Sequence, residues 1–240
     1  MSHKATDQFS GKRDGVYRML TIIIDRRLYI DDGRGLILID TSSLASFHKE
    51  GCFCIDDITH NVPDSHQGIC PRTLSNRLGV EVAGVLGMDI LTHYDVWINA
   101  EEFGNFVSFE TYKAAKQVKI SSLPVLFVGI DGRRVRLMID TAMSETYLRR
   151  PYPYFENRYN VTSDECVGHN FTIRLDFKTF NGPFVWDSRK YQEIHCVEPD
   201  AMINRLLDSA NCDGIIGYDL ISKYRVRIAY GEFDMPPQGI

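Results

Sequence analysis

Leu38-Ile39-Asp40-Thr41 and Met138-Ile139-Asp140-Thr141 are one short phrase written twice, 100 positions apart. A second pair, Gly84-Val85-Leu86-Gly87-Met88-Asp89-Ile90-Leu91 and Gly214-Ile215-Ile216-Gly217-Tyr218-Asp219-Leu220-Ile221, recurs at a spacing of 130. The match then holds register, since Tyr94, Val96 and Ile98 return as Tyr224, Val226 and Ile228. Two motifs in the same order, each present twice, mark an internal duplication. The second copy carries 30 more residues between its motifs, room for larger loops or an added hairpin.

Around each motif the residues read as strands. Residues 21–25 and 36–39 are aliphatic or β-branched runs separated by the turn-prone Asp31-Asp32-Gly33. Residues 125–130, the Asp131-Gly132 turn and residues 135–139 repeat that plan, so both Asp-Thr pairs close a buried strand. Asp89 and Asp219 are expected to cap helices of about two turns. Period-2 strands follow, with Val96 and Ile98 facing away from Trp97, and Val226 and Ile228 away from Arg227. A further hairpin, 171–177 with 184–186, is predicted to turn at Asn181-Gly182, and a short helix over 72–78. The copies meet near 110–122, where 111–116 suits a linker helix. With residues 1–14 expected to be disordered, the lobes span 15–117 and 118–240.

Composition narrows the classes. At 240 residues and 44% hydrophobic content, the chain can bury a core without disulfides or metal. A formal net charge of -5 and no dense Lys/Arg block argue against a nucleic-acid partner. No apolar run approaches membrane-spanning length, and residues 1–15 contain no secretory h-region, so a cytoplasmic site with no membrane partner is expected. The six cysteines, at 52, 54, 70, 166, 196 and 212, lack zinc-module spacing and read as free thiols. A metal held by Cys52, Cys54, His60, His66 and Cys70 is the remote alternative, and no metal or cofactor is expected.

An apolar strand ending in Asp-Thr, followed by an apolar-apolar-Gly segment and an Asp, resembles the retropepsin-like and pepsin-like aspartic peptidases over roughly residues 16–231. The resemblance implies an all-β protein with a few short helices: two retropepsin-like β-barrel lobes related by a pseudo-twofold in one chain. Asp40 and Asp140 match the catalytic aspartates, Thr41 and Thr141 the threonines that lock the two loops, and Gly87 and Gly217 the buried glycines beneath them. It implies an endopeptidase whose dyad holds one proton, because two carboxylates about 3 Å apart cannot both ionise, and which activates a water against a peptide carbonyl. A peptide or protein substrate and a monomer follow, the second site being supplied by the same chain.

The chain departs from the family at Ser42 and Ala142, where the motif has glycine. A Cβ there adds crowding beside the carboxylates, which motivates the alternative of a catalytically inactive module binding peptide or a partner protein in the interlobe cleft. The family's flap has no clean Gly-rich counterpart in residues 47–78, and residues 177–186 are the second copy's candidate. Trp97 and Trp186 read as core or lobe-interface aromatics. The cluster of Tyr152, Tyr154, Phe155 and Tyr159, with Pro151 and Pro153, suits either a cleft lining or a loop staple.

Overall fold

The computed structural model describes residues 11–13, 16–100, 106–111, 123–130, 133–149, 159–167, 172–186, 189–197, 201–229 and 232–234. The protein is mainly β with few helices. Its first half runs β1 (Gly11–Arg13), β2 (Val16–Ile24), β3 (Arg27–Asp31), β4 (Leu36–Ile39), β5 (Phe47–His48), β6 (Cys52–Ile55), β7 (Ile58–Asn61), α1 (Pro71–Leu78), β8 (Val82–Leu86), α2 (Met88–Leu91), β9 (Tyr94–Asn99) and β10 (Phe106–Thr111). Its second runs β11 (Val125–Ile130), β12 (Arg133–Ile139), β13 (Tyr147–Leu148), β14 (Tyr159–Val167), β15 (Thr172–Trp186), β16 (Arg189–Val197), α3 (Ala201–Ala210), β17 (Gly214–Ile216), α4 (Tyr218–Ile221), β18 (Val226–Ala229) and β19 (Glu232–Asp234).

The repeated words make repeated pairings. β4 runs parallel to β8 with Leu38 beside Val85 and Ile39 beside Leu86. β12 runs parallel to β17 with Met138 beside Ile215 and Ile139 beside Ile216, the equivalent residues in the second copy. β5 joins β8 antiparallel through Phe47 and Val85, as β13 joins β17 through Tyr147 and Ile215. These aliphatic strands have all their central residues buried, as expected for short strands covered on both faces.

The halves are joined by backbone. β9 and β18 pair antiparallel with Val96 opposite Ile228, Trp97 opposite Arg227 and Ile98 opposite Val226. Trp97 and Arg227 are equivalent positions in the repeat, so the register is centred on a local twofold between them. The Arg227 guanidinium lies 5.2 Å from the centre of the Trp97 ring and is ion-paired to Asp95, which places Trp97 at the junction of the halves. One ten-stranded sheet carries β19, β18, β9, β10, β2, β3, β4, β8 and β5 in order, with β1 added to β2. A seven-stranded sheet carries β11, β12, β17, β13, β16, β15 and β14, and β15 also touches β11 at the Ile130–Trp186 pair. The largest core cluster mixes Leu28, Ile39 and Ile98 with Leu137, Ile216 and Ile228, so apolar burial also spans both copies.

Several local expectations change. Residues 11–13 form β1 against β2 rather than a disordered leader, and Glu110 and Thr111 end β10, while 112–122 lie outside the described residues. A strand not read from the sequence, β3, follows a turn at Asp25-Arg26. Both turn residues hold positive φ, 48° and 56°, a conformation that β-hairpin turns need and that sequence reading assigns to Asn or Gly. The helices after the glycine motifs are single turns of four residues. Asn181-Gly182 lies inside the continuous strand β15, where the register against β16 shifts between Asn181 and Phe184. Pairing with β16 on both sides of the dipeptide absorbs it as an irregularity, so no flap hairpin turns there. The 30 extra residues build the β14–β15–β16 meander where the first copy has only the β6–β7 hairpin. That hairpin exists without glycine, its turn residues Asp56 and Asp57 at φ 49° and 62°. It lays Phe53 and Ile55 into the core, so the first half does have a hairpin after its Asp-Thr loop, docked rather than free-standing. Residues 150–158, with Pro151, Tyr152, Pro153, Tyr154 and Phe155 of the Tyr/Pro cluster, lie outside the described residues, as do the side chains of Tyr159 and Trp186.

Two histidines in this half have their pKa values lowered by burial. His48 is fully buried on β5, where its Nδ1 accepts the Glu50 N–H at 3.1 Å and its Nε2 lies 3.7 Å from Asp32 Oδ2. Burial pulls its pKa below the usual 6.5, with Asp32 opposing. Burial and then the neighbouring His93 do the same to His60, which is hydrogen-bonded to the Tyr94 hydroxyl at 2.5 Å. Lowered values mean that the unfolded chain binds more protons than the folded one as pH drops through about 6.5. Stability from these groups is therefore present above that pH and lost below it. Urea unfolding at pH 7 and at pH 5 is expected to give the lower midpoint at pH 5, with a smaller difference in His60→Gln; an equal difference in the variant would remove His60 from the account.

Candidate active site

Each aspartate follows the last residue of a buried strand. The Asp40 N–H donates to the Leu86 carbonyl at 3.1 Å and the Asp140 N–H to the Ile216 carbonyl at 3.0 Å, extending the parallel ladders by one rung. A tight turn then closes over each, with Ser43 N–H donating to Asp40 O and Met143 N–H to Asp140 O, both at 3.2 Å. Asp40 is 1% exposed and Asp140 6%, both much more hidden than carboxylates usually are.

The two loops hold each other. The Thr41 N–H donates to Thr141 Oγ1 and the Thr141 N–H to Thr41 Oγ1, both at 3.2 Å. Each hydroxyl in turn donates across to the other copy: Thr41 Oγ1 to the Ile139 carbonyl at 2.9 Å, Thr141 Oγ1 to the Ile39 carbonyl at 2.7 Å. The four bonds are buried and related by the repeat, and both threonines are fully buried. No equivalent isostere serves. Thr41→Val would leave the Thr141 N–H and the Ile139 carbonyl without these partners, and each buried orphan costs about 1–3 kcal/mol. Urea unfolding should therefore show Thr41→Val destabilised by roughly 2–5 kcal/mol, with Thr41→Ser close to the parent.

Beneath the loops run the two glycine segments. A Cβ at Gly87 would lie 2.8 Å from the Ser43 carbonyl oxygen, and one at Gly217 2.5 Å from the Glu145 carbonyl carbon and oxygen. Close backbone contact therefore requires glycine at both. Met88 N–H donates to Ser43 O and Tyr218 N–H to Met143 O, each at 2.8 Å, sealing segment to loop.

Asp89 keeps part of its expected capping role, its Oδ1 accepting the Ile90 N–H of the first turn at 3.0 Å, but neither it nor Asp219 is the N-cap residue. Gly87 and Gly217 occupy the N-cap positions without side-chain caps. Asp89 accepts the Ser46 hydroxyl at 2.5 Å and the Ser46 N–H at 3.0 Å, and Ser46 Oγ accepts the Gly87 N–H at 2.8 Å. Asp219 accepts the Thr146 hydroxyl at 2.7 Å, and Thr146 Oγ1 accepts the Gly217 N–H at 2.9 Å. Each carboxylate thus orients a hydroxyl that holds the glycine segment in place. Ser46 and Thr146 were missed, although a hydroxyl six residues after each Asp is visible once the copies are aligned.

The carboxylates are cradled by their own loops. Asp40 Oδ1 accepts the N–H groups of Ser42 at 2.9 Å and Ser43 at 3.0 Å, and the Ser42 hydroxyl at 2.6 Å. Asp140 Oδ1 accepts the Ala142 N–H at 2.9 Å. Ser42 and Ala142 are not among the residues with positive φ, so the Cβ atoms that replace glycine hydrogens cause no left-handed strain. The Ala142 methyl packs into the first half's cluster of Tyr29, Leu38 and Phe47. At the edge of the site, Arg26 from the β2–β3 turn pairs with Glu145 from the second copy's loop.

Asp40, Thr41, Ser42 and Gly87 are therefore brought together with Asp140, Thr141, Ala142 and Gly217 at one junction. The cysteine–histidine group is not gathered in this way. Cys52 and Cys54 lie on β6, His60 faces Tyr94, His66 bridges to Ile69, and Cys70 starts α1. Among the described residues no set of three or more His, Cys, Asp or Glu is placed to hold a metal, and Cys52, Cys54, Cys70 and Cys212 are free thiols.

No protein-family model matches the chain, and no curated protein matches it. The class defined by fold and site is thus a mainly β protein with two cross-braced Asp-Thr loops.

Proposed function

We propose that the chain is a single-chain, retropepsin-like aspartic endopeptidase in which Asp40 and Asp140 share one proton and activate a water against a peptide carbonyl. The observation that carries this reading is the reciprocal Thr41–Thr141 brace, which presents two buried Asp loops to each other across a twofold. The β9–β18 register, centred on equivalent residues, supports two lobes related by that axis. The Ile130–Trp186 contact, where β15 comes back to β11, supports a barrel-like second lobe. On this reading the substrate is a peptide or unfolded protein lying extended across the interlobe cleft. The enzyme works as a monomer in the cytoplasm and needs no cofactor.

A second reading, a peptide-binding module without turnover, draws on Ser42, whose hydroxyl occupies an Asp40 oxygen where the family has glycine. The two readings part in one experiment. Incubating the protein with unfolded casein across about pH 4–6, where one proton per dyad is expected, should yield fragments, and a statine-type transition-state mimic should bind tightly and stop it. Binding of unfolded casein with neither cleavage nor tight mimic binding would leave the module reading.

A further inference from the structure

In each copy the N–H two residues after the aspartate donates to its Oδ1, and Asp40 Oδ1 also accepts the Ser43 N–H at 3.0 Å. Ser42 N–H reaches Asp40 Oδ1 at 2.9 Å, and Ala142 N–H reaches Asp140 Oδ1 at 2.9 Å. The Ser42 hydroxyl, at 2.6 Å from the same Asp40 oxygen, is the one contact with no possible counterpart at the equivalent position, because alanine has no hydroxyl. A hydrogen bond donated to a carboxylate favours its ionised form, and at a site 1% exposed to solvent the preference is little diluted by water.

We propose that Ser42 is a positioning residue that breaks the symmetry of the dyad, holding Asp40 ionised so that the single shared proton resides on Asp140. This assignment rests on the peptidase reading above. It gives the two acids separate roles. As the water oxygen bonds to the substrate carbonyl carbon, one water proton passes to Asp40 and the Asp140 proton passes to the carbonyl oxygen. The product is a neutral gem-diol, and the dyad still holds one proton, now on Asp40. That proton is then available to the leaving amide nitrogen when the C–N bond breaks, while a gem-diol hydroxyl returns its proton to Asp140 as the carboxylic acid forms.

The test follows the side-chain carboxyl carbons of the two aspartates by carbon-13 NMR during acid titration, the signals being assigned with Asp40→Asn and Asp140→Asn. Asp40 is expected to remain ionised to lower pH than Asp140. In Ser42→Ala the Asp40 midpoint should rise by about one pH unit, the size expected for loss of one charge-assisted hydrogen bond, and the two midpoints should converge. Ser42→Gly removes the same hydroxyl with less bulk and should act alike, and Ala142→Ser should lower the Asp140 midpoint. In cleavage assays the acid limb of the kcat/KM profile should move upward in Ser42→Ala by the same amount. Unchanged midpoints in folded Ser42→Ala and Ser42→Gly, or a wild-type protein in which Asp140 ionises first, would overturn the assignment and leave the peptidase reading standing. Absence of cleavage by the wild type would remove the catalytic roles, and the titration would still read the asymmetry by itself.

Discussion

Asp40→Asn and Asp140→Asn, each introduced alone, are expected to lower kcat/KM for peptide cleavage by at least about 10³-fold, the upper range of positioned acid–base catalysis. Asn matches Asp in shape, and its side-chain oxygen can still accept the Ser42 and Ser43 N–H groups or the Ala142 N–H. The loops should therefore persist, and urea midpoints should move little. What is lost is the pairing of one carboxylate with one carboxylic acid. An amide neither takes a proton from water nor supplies one to a carbonyl oxygen, and the remaining aspartate cannot fill both roles. Parallel measurement of kcat/KM and unfolding separates the chemical effect from a structural one. A folded Asn variant that retains wild-type turnover would rule out the dyad mechanism.

Gly217→Ala is expected to destabilise the protein by about 3 kcal/mol or more. The new Cβ would lie 2.5 Å from the Glu145 carbonyl carbon and oxygen and 2.9 Å from its nitrogen, backbone atoms that cannot rotate away. The glycine's φ of -101° is open to alanine, so the expected effect is steric rather than conformational. Relief requires moving Glu145, and with it the Met143 carbonyl that accepts the Tyr218 N–H and the Thr146 hydroxyl that accepts the Gly217 N–H. Activity should fall along with stability, since these contacts aim the loop carrying Asp140. Gly33→Ala is the comparison: nothing lies within 4 Å of its Cβ, and only its φ of 82° opposes the change. Roughly 1–2 kcal/mol is expected there. Equal urea midpoints for the two variants would contradict the close-contact account.

Local pattern carried much of this protein into view. Short aliphatic and β-branched runs bounded by Gly and Asp turn signals located β4, β11 and β12, because such residues favour extended backbone. Patterns decided by partners misled. The Asp25-Arg26 turn lacks the usual residues, so β3 went unread, and Asn181-Gly182 is the usual hairpin dipeptide yet lies within β15. In both cases neighbouring strands outweighed the preference of two residues, a preference worth only about 1 kcal/mol.

The same division holds at the site. The duplicated phrase alone determined that two Asp-Thr loops end two buried strands and that a glycine segment accompanies each, since identical local sequences build identical local geometry. Only the tertiary structure decided that Thr41 and Thr141 clasp each other, that Asp89 and Asp219 orient Ser46 and Thr146, and that the Ser42 hydroxyl turns onto Asp40. Those contacts join residues 43 to 100 positions apart, or depend on how one side chain turns within a loop. Hydrogen-bond partners chosen at such range leave no periodic trace in the chain.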